Sequence, residues 1–106
     1  MEQEQVIDYF QKALEYKKSL NYKSAIEMLY KALETEGENI SILTQIGELH
    51  FLMMNYQRAL QYLEKALIIN PNDTTSLKYI SKIKIRLGDY EQGLKLLNNI
   101  FEITKL

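Results

Sequence analysis

His50 is the only imidazole in the 106-residue chain, and no cysteine accompanies it. A Ser-His-Asp arrangement would have to be built on that one ring, with a hydroxyl nucleophile held beside it. No H-x3-H pair or paired-aspartate loop gives metal-ligand spacing, and without thiols neither a thiolate zinc site nor a cysteine nucleophile can form. Gly37, Gly47, Gly88 and Gly93 never gather into a phosphate-cradling loop followed by Lys and Ser or Thr. Glu34, Glu36 and Glu38 read as a solvated turn at a helix end. The sequons Asn39-Ile40-Ser41 and Asn72-Asp73-Thr74 both fall where helix caps are expected and are read as capping only. His50 reads as an imidazole packed between helices. The inventory therefore predicts no enzyme, with no catalytic or metal-binding residues and no cofactor.

One spaced set of charges remains. Lys78, Lys82 and Arg86 stand at i, i+4 and i+8, a basic stripe if the segment is helical. The net charge of -1 conceals a gradient along the chain. Residues 1–39 carry five basic and eight acidic side chains, residues 40–73 two and three, and residues 74–106 six and three. A chain that is acidic overall is a poor match to a phosphate backbone, so a nucleic-acid partner is disfavoured. No apolar run approaches the ~20 residues of a membrane span. The acidic start, Met-Glu-Gln-Glu-Gln, is unlike a secretory leader. No membrane partner is expected, and the predicted setting is cytoplasmic, for the chain itself or for a domain of a larger protein.

The elements that must position these groups follow from self-similarity. Sliding the chain by 34 residues aligns Tyr22, Tyr56 and Tyr90. It also aligns Ala25, Ala59 and Gly93; Ile26, Leu60 and Leu94; Leu29, Leu63 and Leu97; and the small residues Ala13, Gly47 and Ser81. Within a copy the apolar spacing is helical, as in Leu43, Ile46, Gly47, His50 and Met53. Leu20-Asn21, Met54-Asn55 and Gly88-Asp89 break each copy in the middle. Gly37 and Pro71 mark the ends of copies, with Asn39 and Asp73 as N-caps of the next. Helices are predicted near 5–19, 23–36, 40–53, 57–69, 74–87 and 90–104, with no strand, in one domain spanning residues 1–106.

The repeat resembles the tetratricopeptide family, whose unit runs W-x2-L-G-x2-Y, A-x3-F, P. The middle copy carries the match best: Leu43, Ile46, Gly47 and His50, then Ala59 and Leu63, then Pro71. The first copy offers Tyr9, Ala13, Tyr16, Ala25 and Leu29; the third offers Leu77, Ile80, Ser81, Gly93 and Leu97. The resemblance implies an all-α, right-handed solenoid of three helix-turn-helix units, at about residues 6–39, 40–73 and 74–106, without a regular C-terminal capping helix.

It also implies that the first helix of each unit lines a concave groove for a peptide or helix of a partner protein. The groove positions are then Phe10, Leu14, Lys17 and Lys18; Thr44, Gln45, Glu48 and Phe51; and Lys78, Tyr79, Lys82, Ile85 and Arg86. The basic stripe is either a solvated helix face or a receiver of acidic groups, with Phe10, Leu14, Phe51 and Ile85 as apolar pockets beside it. The family's clamp for chaperone tails uses two Lys, two Asn and an Arg. Its slots fall here on Phe10, Leu14, Gln45, Thr75 and Tyr79, and none matches.

A second surface comes from the last helix, where Tyr90, Leu96, Leu97, Ile100 and Ile103 are expected to face outward. That patch would either pair two copies as a homodimer or be covered by further chain in a longer protein. The expected function is thus a non-enzymatic interaction module or scaffold. The alternative is an assembly subunit acting through this end face.

Overall fold

The computed structural model describes residues 2–105, which form six α-helices and, among the described residues, no strand. They are α1 (Glu2–Lys18), α2 (Tyr22–Glu36), α3 (Ile40–Leu52), α4 (Tyr56–Ile69), α5 (Thr74–Arg86) and α6 (Tyr90–Thr104). The predicted boundaries hold to within a residue except at the start, where α1 reaches back to Glu2. Glu2 and Glu4 lie in that first turn, where carboxylates complement the helix dipole.

The helices start where the caps predict. Asn21 accepts from the Ser24 N–H (3.3 Å), Asn39 from Ile42 (2.9 Å), Asp73 from Ser76 (3.0 Å) and Asp89 from Gln92 (3.2 Å). Asn55 makes no such bond. Of the two sequon asparagines, only Asn39 caps a helix. Asn72 lies in the turn before Asp73, its backbone N–H donating to Asn70 Oδ1. The mid-unit turns share one backbone solution, a left-handed residue at Leu20 (φ 63°), Met54 (φ 60°) and Gly88 (φ 88°). Only the third unit uses glycine there; the others hold a side chain in a conformation that costs about 1–2 kcal/mol.

Helices pair within a unit, α1 with α2, α3 with α4 and α5 with α6, and successive units stack into a body of 44 × 28 × 21 Å. Small residues set the pairing distance. A Cβ on Gly47 would stand 2.7 Å from Leu63, and one on Gly93 would stand 2.6 Å from Ile85. Ser81, the counterpart of Gly47 in the third unit, is fully buried and donates its hydroxyl to the Gly93 carbonyl at 2.9 Å.

The apolar core lies at the seams between units. At the first seam α2 supplies Ile26, Leu29 and Ala32 against Ile42, Ile46 and Leu49 of α3. At the second, Ala59 and Leu63 of α4 meet Ile80 and Ile83 of α5, with Phe51 beside them. The buried set is aliphatic: of the Tyr and Phe residues only Phe51 is buried, and the rest are half-buried or exposed.

His50 is a packed core residue. Its ring stacks on Tyr62 at 5.8 Å and its Nε2 lies 3.0 Å from the Tyr30 hydroxyl. Nδ1 is buried without a hydrogen-bond partner. Burial, and then the nearby Arg58 cation, hold the imidazole below its ordinary pKa of 6.5. Burial, followed by the neighbouring Tyr62, pushes the Tyr30 phenol up to about 12.

Two predictions follow from this packing. Gly47→Val should lower unfolding stability by about 1–3 kcal/mol in a denaturant titration, because the fully buried Leu63 must yield to the added branches. The second concerns pH. The unfolded chain takes up the His50 proton at its ordinary pKa while the folded chain resists it. Stability is therefore full above about pH 6.5, the ordinary His value, and falls as pH drops below it. Thermal melts across that window should show the decline, and His50→Gln, which keeps an acceptor for Tyr30 and does not titrate, should flatten it.

Candidate functional site

α1, α3 and α5 share one side of the stack, and their exposed positions form a shallow groove. A residue from each unit crosses it. Lys17 Nζ on α1 donates to Glu48 Oε1 on α3 at 2.6 Å, and the Tyr79 hydroxyl on α5 donates to Glu48 Oε2 at 2.5 Å. Burial opposes the Glu48 charge, but the hydrogen bonds from Lys17 and Tyr79, with the Lys17 and Lys78 charges, outweigh it and hold the carboxyl below its ordinary range. Burial and the Glu48 carboxylate push the Tyr79 phenol well above 10.

This three-unit brace separates two chemically different rims. On one side lie Ile7 and Leu14, both exposed, and the half-buried Phe10. A hollow of about 400 Å³ opens beside Ile7 and Phe10, lined by Val6, Ile7 and Phe10 together with Glu2, Gln3, Thr35 and Glu36. A second hollow, of about 240 Å³, lies between α3 and α5 and is lined by Thr44, Gln45, Glu48, Thr75, Lys78 and Tyr79. On the other side the basic stripe rests on aromatic faces. Lys78 and Lys82 sit 5.1 and 5.2 Å from the Tyr79 ring centre, and Arg86 sits 4.9 Å from that of Phe51. Phe51 in turn meets Tyr79 edge-on at 5.5 Å. Among the described residues, Lys18, Lys78, Lys82 and Arg86 take part in no ion pair. Cations placed on π faces but unpaired are held in position while remaining able to receive an anion.

Three expected groove positions are turned partly or largely away from solvent. Phe51 is buried beneath Arg86, so it supports the stripe instead of offering a pocket. Thr44 is buried, its hydroxyl donating to the Ser41 carbonyl at 3.2 Å. Ile85 turns toward α6 and fills the space that Gly93 leaves by lacking a side chain. Gln45 remains half-exposed, donating to the Ser41 hydroxyl at 3.1 Å. The brace was not visible beforehand, although Lys17, Glu48 and Tyr79 share a constant spacing of 31 residues that marks one diagonal across three units.

On the outer face of α6, Tyr90 and Leu97 are exposed, as expected, and Leu94 and Phe101 join them. Leu96 turns inward instead and packs with Ile80 and Ile83. Ile100 and Ile103 are half-buried. Among the described residues no three His, Cys, Asp or Glu side chains converge on a possible metal site, and no helix is long and apolar enough to cross a membrane.

Comparison with known proteins supports this architecture. Residues 18–100 match the family model described as Anaphase-promoting complex, cyclosome, subunit 3. No curated protein sequence matches the chain significantly. Among solved structures, the TPR domain of Arabidopsis OM64 superposes with a TM-score of 0.89 at 14% identity, covering 98% of this chain and 86% of that one. A tetratricopeptide repeat protein from Parabacteroides merdae gives 0.86 at 22% identity, over 95% of this chain and 41% of that one. The first TPR of Spaghetti (RPAP3), bound to the HSP90 peptide SRMEEVD, gives 0.86 at 18%, over 95% and 80%. At such identities the likeness is one of fold. With a family model matched over most of its length and three stacked helix-turn-helix units, the chain belongs to the tetratricopeptide-repeat proteins, in the family described as Anaphase-promoting complex, cyclosome, subunit 3.

Proposed function

We propose that the chain is a non-enzymatic interaction module whose groove holds an acidic segment with apolar anchors, extended or helical, from a partner protein. The observation that carries this reading is the asymmetry across the Glu48 brace. Ile7, Phe10 and Leu14 offer apolar surface on one rim, and the unpaired Lys78, Lys82 and Arg86 offer positive charge on the other. A ligand satisfying both rims carries large apolar side chains at one end and Asp, Glu or a terminal carboxylate at the other. Glu48 and its partners are already mutually satisfied, so ligand carboxylates are directed to the α5 stripe and away from the centre.

A second reading, an assembly subunit that works through self-association, is favoured by one specific observation: the exposed apolar residues of α6. The two readings use different surfaces, the α5 stripe and the outer face of α6, and can be tested separately.

Selection from a random peptide library should enrich sequences that pair an apolar cluster with an acidic cluster. Lys78→Glu combined with Lys82→Glu should weaken the selected peptides about 10-fold or more, with affinity in the parent chain falling as salt rises. The peptide SRMEEVD, which the Spaghetti domain holds, is the control. With Phe10, Leu14, Gln45, Thr75 and Tyr79 in the clamp slots it should not bind below the millimolar range by calorimetry. Enrichment of basic or purely apolar peptides, or indifference to the double substitution, would overturn the reading.

A further inference from the structure

The outer stripe of α6 has two internal counterparts that show what such a surface is for. Tyr22, Ile26, Leu29 and Leu33 of α2 occupy the same register two units earlier, and α3 covers them. Tyr56, Leu60, Leu63 and Leu67 of α4 are covered likewise by α5. Under that cover Ile26 and Leu29 are 5% and 1% exposed, whereas Leu94 and Leu97 of α6 are 58% and 43% exposed, and Tyr90 and Phe101 are both at 64%. Among the described residues the stripe is thus a repeat seam that no helix covers.

The helix that covers such a seam presents buried, uncharged residues at i, i+4 and i+7: Ile42, Ile46 and Leu49 on α3, and Ser76, Ile80 and Ile83 on α5. The same three positions on α1 are Asp8, Lys12 and Glu15. All three are exposed, and Asp8 and Lys12 form an ion pair at 3.1 Å. Stacking a second copy head to tail would lay these charges on the α6 stripe and desolvate them without partners. A regular following helix meets a different obstacle. Ile100 stands where Ala32 and Ala66 are fully buried at the two complete seams.

The α6 stripe does satisfy its own requirement. Tyr90, Leu94, Leu97 and Phe101 run at i, i+4, i+7 and i+11, so a second α6 presents large apolar residues at the spacing a seam needs. We infer that the outer face of α6 is a two-fold interface, where α6 of one copy packs on α6 of another and closes the association at two chains. This deepens the assembly-subunit reading and rests on it. An isologous contact consumes the stripe on both partners, leaving none free for a third copy. The stripe amounts to an apolar patch on the order of 400 Å² per copy, at the lower edge of what supports a specific pair. The dimer should accordingly be weak and concentration-dependent, with Kd of about 10–500 µM.

Sedimentation equilibrium of the 106-residue chain from 5 µM to 1 mM tests this. Expected is a rise from one chain mass to two and no further, with Leu94→Glu plus Phe101→Glu weakening association at least 10-fold while the helical circular dichroism stays unchanged. The chain has no cysteine, so single-cysteine variants report contacts directly. Leu97→Cys should cross-link to dimers on oxidation, and mixed with Glu15→Cys it should give no heterologous product. Masses above two chains with a 97-to-15 cross-link would mean head-to-tail stacking, ending the two-fold interface while keeping an assembly role. A dimer indifferent to the α6 substitutions would place self-association elsewhere, with the same consequence. A monomer at 1 mM would end both the interface and the assembly reading.

Discussion

A helical hairpin of this size cannot bury its own apolar stripe, and that constraint governs the molecule. Each unit leaves Ile26, Leu60 or Leu94 and their neighbours for the next unit to cover, so the stabilising surface sits at seams instead of at one centre. Seams in turn require that the two helices of a unit pair closely enough to present a continuous surface. Gly47 against Leu63 and Gly93 against Ile85 set that distance, and a side chain at either glycine would move the seam-forming residues with it. The groove is a by-product of the same arrangement. Stacking at a regular offset brings α1, α3 and α5 alongside one another, and the positions they do not bury become the surface available to a partner.

Glu48 ties that surface to the stack. Through Lys17 and Tyr79 it joins the first and third units across the second, at side-chain level and without adding apolar burial. A buried or half-buried carboxylate is tolerated when its hydrogen bonds are complete, and here both oxygens are used. The arrangement fixes the relative offset of the units, which is the variable that sets groove width. It also gives the groove floor a local neutrality, so the cations of α5 stand as a separate rim.

Much of this was legible in the sequence. Apart from the start of α1, the 34-residue period located the helix ends to within a residue, because Asn39, Asp73 and Asp89 cap by short-range chemistry that needs no tertiary context. The left-handed residues at Leu20 and Met54 were less visible, since only Gly88 in the third unit signals that backbone state by type. Groove membership was read from register alone, and register does not say which way a side chain turns. Ile85 turns toward α6 because Gly93 leaves a void there, and Phe51 is covered because Arg86 lies over it. Aromatic rings stay mostly half-buried or exposed because a three-unit stack is only 21 Å across its thinnest axis, too thin to enclose many of them completely. The Lys17–Glu48–Tyr79 diagonal crosses units at a spacing different from the repeat itself, so aligning copies could not reveal it.

Placing the core at seams also means that cooperativity is local. The first seam joins α1, α2 and α3, the second joins α4 and α5 with Phe51 of α3, and α6 contributes only the buried Gly93 and the half-buried Leu96. A chain built this way can loosen from its C-terminal hairpin inward without dissolving the rest. Amide protons of α6 would then exchange ahead of those in α3, and whatever clamps that terminal helix would raise protection there first.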